Sequence, residues 1–226
     1  MQELYNQTSV TAGRSVEVSK VLRNTYMLLA MTLTFSAIMA VVSMSLQLGY
    51  GSYLMCVLGA MALIWFVLPR TANSAAGIWV VFAFTGLLGA GLGPVISHYL
   101  TMVNGGAIVT QALAGTALIF FALSGYVLVT GKDFSFMAGF IITGMLAVIV
   151  AMLGSFVMAM MGMDISILEL AISCVFLLLM SAVILFKTSQ IIHGGETNYI
   201  LATASLYMAL YNIFVNLLHL LSAADD

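Results

Sequence analysis

The side chains able to do chemistry in this chain are few, and most of them sit at the ends of long apolar stretches. Glu169 and His219 fall inside such stretches. An ionisable group at membrane depth is costly and points first to a proton or ion path. Glu169 is about one turn into its segment, where it would equally complement the positive end of a helix or stay hydrated at the interface. Asp164 and Glu169 are five apart and off one helical face, so these two do not make a paired-carboxylate site. His219 reads as an interfacial imidazole near the end of its segment, and His98 as a solvated one. Lys187 and Glu196 flank a polar connection containing His193-Gly194-Gly195 and are placed to form an ion pair, a contact worth only about 0–1 kcal/mol when exposed.

Catalytic patterns are weak. Ala122-Leu123-Ser124-Gly125 loosely resembles the serine loop of intramembrane serine proteases, with His219 as the base, but the first glycine of that loop is missing. There is no His-Glu-x-x-His, no Gly-rich phosphate loop and no pair of intramembrane aspartates, so the chain does not read as an enzyme. Met158, Met160, Met161 and Met163 are thioether donors of the copper-binding type, but without a nearby His or Cys they read as the apolar end of a span. Cys56 and Cys174 are too few and too far apart for a disulfide framework or zinc site and read as small apolar residues. No metal or cofactor is expected.

The elements that must position these residues follow from composition. Of 226 residues 63% are hydrophobic and 6% charged, against roughly 25% charged in soluble domains, so water is the wrong solvent for most of the chain. A net charge of −2 excludes the basic footprint of a nucleic-acid binder. Charges and turn residues divide the chain into seven spans, near residues 25–48, 52–69, 76–97, 105–130, 134–161, 165–186 and 199–222. Gly93-Pro94 and Asn104-Gly105-Gly106 are read as bounding the third connection. The first stretch is too long for a secretory signal and stays in the protein.

Basic residues orient the spans. With the amino terminus inside, Arg14, Lys20 and Arg23 of the tail and then Arg70, Lys132 and Lys187 all fall on cytoplasmic loops, while the outside segments near Gly49, His98, Asp164 and Asp225 hold no Lys or Arg. Dropping a middle span would put some of these charges outside. The expected plan is an all-α, polytopic membrane protein: a cytoplasmic tail over residues 1–24, a seven-helix domain over 25–222 and a short external tail over 223–226. Gly86, Gly89 and Gly93 allow close helix approach, and fit internal packing or a subunit contact in a homo-oligomer equally well.

Several segments carry a family resemblance. Phe186-Lys187-Thr188-Ser189-Gln190, His193-Gly194-Gly195-Glu196-Thr197-Asn198-Tyr199-Ile200, Ser205-Leu206-Tyr207 and Leu210-Tyr211-Asn212-Ile213-Phe214 closely resemble the last loop and last helix of the Bax-inhibitor family. Val21-Leu22-Arg23-Asn24-Thr25-Tyr26 and Ala83-Phe84-Thr85-Gly86 resemble its bacterial YccA-like branch, modulators of the membrane AAA protease FtsH. The resemblance implies seven helices with the last one central, a cytoplasmic-membrane location and FtsH as partner. It also implies a second reading, a pH-sensitive calcium or cation leak, which the wider family links to two aspartates. Their positions here hold Lys187 and Ala209. A cation and a methyl group cannot share a proton or supply the oxygen ligands calcium needs. Lys187, His193, Glu196, Ala209 and Glu169 are therefore the candidate functional positions. Residues 1–20, polar and without apolar period, would give an AAA machine an end to grip.

Overall fold

The structure is a computed structural model, and it describes the backbone of residues 2–225 and the side chains of residues 16–49 and 51–225. Among these residues every regular element is helical, and seven helices are long and apolar enough to cross a membrane. Helix α1 is Gln2–Ser45. Tyr50–Ala62, a π-helical turn Leu63–Val67 and a closing turn Leu68–Thr71 run on without a break and count together as α2. Then come α3 (Ala76–Leu100), α4 (Gly105–Thr130), α5 (Met137–Met160), α6 (Ser166–Ile192) and α7 (Tyr199–Asp225). At about 1.5 Å per residue, helices of this length exceed the roughly 30 Å hydrocarbon core of a bilayer.

The count and order of spans agree with the sequence reading; several ends do not. Helix α1 already starts at Gln2 and runs through the tail expected over residues 1–24. Leaving the hydrocarbon does not by itself end a helix. Of that tail, the side chains of residues 1–15 lie outside those described. Helix α3 continues through Pro94 to Leu100. Pro94 only withholds the N–H that the Ala90 carbonyl would accept, and neighbours in a bundle tolerate that loss. Pro69 acts differently: the preceding π turn carries the Leu68 N–H to the Leu63 carbonyl, five residues back, which relaxes the ladder where the proline ring enters it. Helix α6 passes Lys187 and reaches Ile192, where Gly194 at φ 75° ends it in the left-handed conformation. Helix α7 extends to Asp225, so the external tail expected over 223–226 is helical almost to its end.

The chain folds as two compact units, one formed by Met1–Pro94 with Lys187–Tyr207, the other by Val95–Phe186 with Met208–Asp226. In the first unit the glycines of α3 meet α1. A Cβ on Gly89 would land on the Ser36 carbonyl, one on Gly93 on the Ser43 side chain, and one on Gly86 within 2.6 Å of the Phe35 ring. The glycines therefore serve internal packing. Lipid tails are as apolar as leucine, so close backbone approach rather than apolar burial holds such helices together. Large residues are accordingly left facing outward, among them Trp65, Trp79, Phe121 and Phe140.

The last helix buries Ala202, Thr203, Ala204, Leu206, Tyr207, Ala209 and Leu210 over a broad face, while Leu201, Ser205, Met208 and Asn212 on the remaining side are half-buried. In the second unit Gly144 packs directly on Leu179, and Gly115 leaves 3.2 Å for Leu217. Asn104, just before α4, donates to both Asp225 carboxylate oxygens at 3.0 and 2.9 Å.

Gly89→Ala should lower the thermal stability of the detergent-solubilised protein by about 1–3 kcal/mol, the usual cost of overpacking. Gly125→Ala, where an added Cβ meets nothing within 4 Å, should not. Equal melting temperatures for the two variants would contradict the α1–α3 contact.

Candidate functional site

The connection between α6 and α7 is tied to itself before it touches anything else. The Gly195 and Glu196 N–H groups both return to the Gln190 carbonyl, at 2.8 and 3.1 Å, closing the end of α6. Lys187 donates to Gln190 Oε1 at 3.2 Å, and its Nζ lies 3.8 Å from Glu196 Oε2. These two side chains are 23% and 16% exposed, so the pair the sequence suggested forms in a partly screened setting. Glu196 Oε1 accepts from the Asn198 N–H at 3.1 Å. The one carboxylate thus spans the loop, with an oxygen at each end.

Asn198 has the widest reach. Its Oδ1 accepts from the N–H groups of Ile200 and Leu201 at 2.9 and 3.2 Å, capping α7. Its Nδ2 donates to the Ala72 carbonyl and to Asn73 Oδ1, both at 2.9 Å, and so stitches the α2–α3 connection to the α6–α7 connection. Glu17, Val18 and Val21 of α1 face Gly194, Glu196 and Thr197 across a cleft of about 70 Å³. That holds a few waters and no metabolite, since small-molecule sites occupy roughly 300–1,000 Å³.

His193 is exposed on this loop with Nδ1 2.9 Å from the Ser189 carbonyl. A carbonyl only accepts, so Nδ1 carries the proton, and the Ser189 hydroxyl 3.4 Å away has no base at that nitrogen. Of the other candidates, Glu169 is exposed and Ala209 fully buried. Both belong to the second unit, whereas Lys187, His193 and Glu196 belong to the first. In the second unit His219 Nδ1 lies 2.9 Å from Ser173 Oγ, one turn beyond Glu169 on α6. Ser124, the serine of the protease-like motif, is buried on α4. Among the described residues no three His, Cys, Asp or Glu side chains converge to hold a metal ion, and Met160, Met161 and Met163 are exposed at the end of α5.

Sequence reasoning missed two side chains. An Asn immediately before an apolar run is a helix-cap signal, and Asn198 was legible in that way. Tyr207 was not. The residue is 1% exposed; its hydroxyl donates to the Thr85 carbonyl at 3.2 Å and lies 2.5 Å from Ser36 Oγ, while its ring meets Phe84 edge-on. With the phenol proton given to Thr85, Ser36 is the donor to Tyr207, and α1, α3 and α7 meet at one hydroxyl. Thr203, a turn earlier, donates to the Thr25 carbonyl at 3.2 Å.

Electrostatics outside the spans are local. Hydrogen bonds from the Ser166 side chain and then its N–H hold Asp164 below the usual carboxylate range at the start of α6. The Tyr126 hydroxyl, 3.0 Å from Lys132 Nζ, keeps that ammonium charged beyond the ordinary lysine range.

The seven long apolar helices define a seven-span membrane protein, with a polar connection between its last two helices that is hydrogen-bonded to itself. The chain belongs to the Bax-inhibitor family: the family described as "Inhibitor of apoptosis-promoting Bax1" matches residues 18–226. It is 49% identical to the Escherichia coli protein named modulator of FtsH protease YccA, over 91% of each chain. It is 46% identical to an uncharacterized Pseudomonas aeruginosa protein over the full length of both, and 42% identical to an uncharacterized membrane protein of Vibrio cholerae over 99% of this chain and 97% of that one.

Asn198→Ala removes both a cap and a stitch and should cost about 1–2 kcal/mol, read as a lower melting temperature and faster hydrogen exchange in the α2–α3 connection as well as at the start of α7. Exchange altered in α7 alone would count against the stitch. Because the Asp164 carboxyl is held low, its contribution is present above the ordinary carboxylate range and lost as pH falls through its lowered value. The protection factors of the first-turn amides of α6, corrected for the intrinsic pH dependence of exchange, should fall on acidification in the wild type and stay level in Asp164→Asn.

Proposed function

We propose that this protein is a non-enzymatic component of the bacterial cytoplasmic membrane that binds FtsH and restrains its action on other membrane proteins. The observation that carries this reading is the 49% identity, over 91% of both chains, to a protein named as a modulator of that protease. The hydrogen-bonded α6–α7 connection adds physical support. A loop whose backbone is tied down before a partner arrives loses little entropy on docking. The amino terminus and all six Lys and Arg residues are assigned to the cytoplasm, following the preference of basic residues for that side. In this reading residues 1–20 are the end on which FtsH pulls.

The test is co-purification of the full-length protein with FtsH, paired with the half-life of a membrane substrate of that protease. Overproduction should lengthen the half-life, and the protein should be recovered with FtsH. Removing residues 2–19 should slow this protein's own turnover while leaving co-purification intact. Absence of co-purification together with an unchanged substrate half-life would refute the reading, and unchanged turnover of the truncated form would refute the tail's role. A cysteine at position 132 labelled from the outside would overturn the orientation.

The second reading, a cation leak, is favoured by one contact. Ser173 joins His219 to the helix turn that carries Glu169. Proton or calcium flux in liposomes that disappears in Glu169→Gln would support it, and flux equal to that of empty liposomes would exclude it.

A further inference from the structure

The end of α5 carries four thioethers in six residues, Met158, Met160, Met161 and Met163. Spacing alone lets them read as the last residues of a span, because it does not show how the chain leaves the helix. The backbone supplies that. The Met163 N–H returns to the Met158 carbonyl at 3.1 Å and the Gly162 N–H to the Ala159 carbonyl at 3.0 Å, with Gly162 at φ 75°. This paired closure around a left-handed glycine brings the residue after the glycine against the one three positions before the cap. Met163 is thereby set beside Met158. Met161 follows Met158 by three residues, on the same helix face, where Cβ atoms are about 5–6 Å apart. Met160, two residues on, faces away from Met158. Met160, Met161 and Met163 are exposed and Met158 is half-buried, so an ion reaches this turn without any helix moving.

We propose that Met158, Met161 and Met163 form a three-thioether site for the soft monovalent cation Cu(I). A thioether is a neutral, polarisable donor that selects Cu(I) over hard ions. Cu(I) has a filled d shell and accepts three ligands in a plane, so a further His or Cys donor is not required. Each methionine turns about three side-chain bonds, which lets sulfurs on Cβ atoms this close converge on one ion while the backbone of the turn stays fixed. The adjoining acid supplies a counter-charge. Asp164 Oδ1 accepts from the Ser166 N–H and hydroxyl at 3.0 and 2.6 Å, bonds that hold the carboxyl in its charged form. Calcium needs several oxygen ligands, and zinc takes thiolate, imidazole or carboxylate; this turn offers neither set. The site stands whether or not FtsH is the partner, and in either orientation of the chain.

The test is a titration of the full-length protein in detergent with Cu(I), kept monovalent by ascorbate, in competition with the chromophoric chelator bicinchoninate. Cys174 is an exposed thiol on α6, so every protein compared carries Cys174→Ser. The parent should hold a single Cu(I) per chain. Met158→Leu, Met161→Leu and Met163→Leu should each weaken binding about tenfold or more, since even an outer-shell change at a metal site costs that much. Leucine replaces methionine at nearly equal volume, so melting temperatures should stay close to the parent's. Met160→Leu and Met152→Leu, also exposed on α5, keep the three sulfurs and should bind as the parent does. No copper retained against the chelator, or an equal loss in Met160→Leu, would overturn the site.

Discussion

Hydrocarbon offers a peptide group no hydrogen-bond partner, so each backbone N–H and C=O at membrane depth must find one in its own helix or in a neighbour. Polar side chains inherit the same requirement. Thr32 and Thr116 meet it locally, donating one turn back to Leu28 and Ala112 at 2.9 and 2.7 Å. Ser36, Thr203 and Tyr207 meet it across helices, at buried crossings. The distribution of size follows from the same solvent. Burying a tryptophan gains little against lipid, whereas removing a side chain lets two backbones touch. Glycine and serine therefore occupy the α1–α3 contact, and the rings face outward.

At the polar end of the first unit the rules change, and the chain changes with them. Three members of the His-Gly-Gly-Glu-Thr-Asn run have distinct geometric roles. Gly194 turns the backbone, and Glu196 holds Lys187 at one oxygen and the Asn198 N–H at the other. Asn198 caps one helix while gripping another loop. That run is informative as a family marker because few residue types can fill these roles. The same geometry bears on ion chemistry. Lys187 is held by Glu196 and Gln190, and Ala209 is a buried methyl group. A cation and a methyl group at these two positions can neither share a proton nor make a calcium ligand set.

Span count and span order were legible because hydropathy and charge act over about twenty residues at a time. Helix ends were less so, because they depend on single contacts. Nothing in the composition of residues 16–24 reveals that a polar stretch continues the helix of an apolar one. Pro94 is a helix breaker in water and only a missing donor in a bundle. Lys187 marks the membrane edge without marking the helix end, which waits for Gly194. The Lys187–Glu196 pair was visible from its spacing. The Tyr207 junction was not, because Ser36 and Tyr207 are 171 residues apart and only the fold brings them together.

The first unit is assembled from residues at opposite ends of the message, Met1–Pro94 and Lys187–Tyr207. A ribosome that has made only the first three helices has therefore delivered Ser36 without Tyr207, the Thr25 carbonyl without Thr203, and the α2–α3 connection without Asn198. Closure waits for the final helix, so the early helices pass through a biosynthetic interval in which these cross-helix contacts are still unmade. A chain that stalls or terminates before residue 207 leaves that interval open, and in this fold the completeness of translation is read out as the completeness of a hydrogen-bond set.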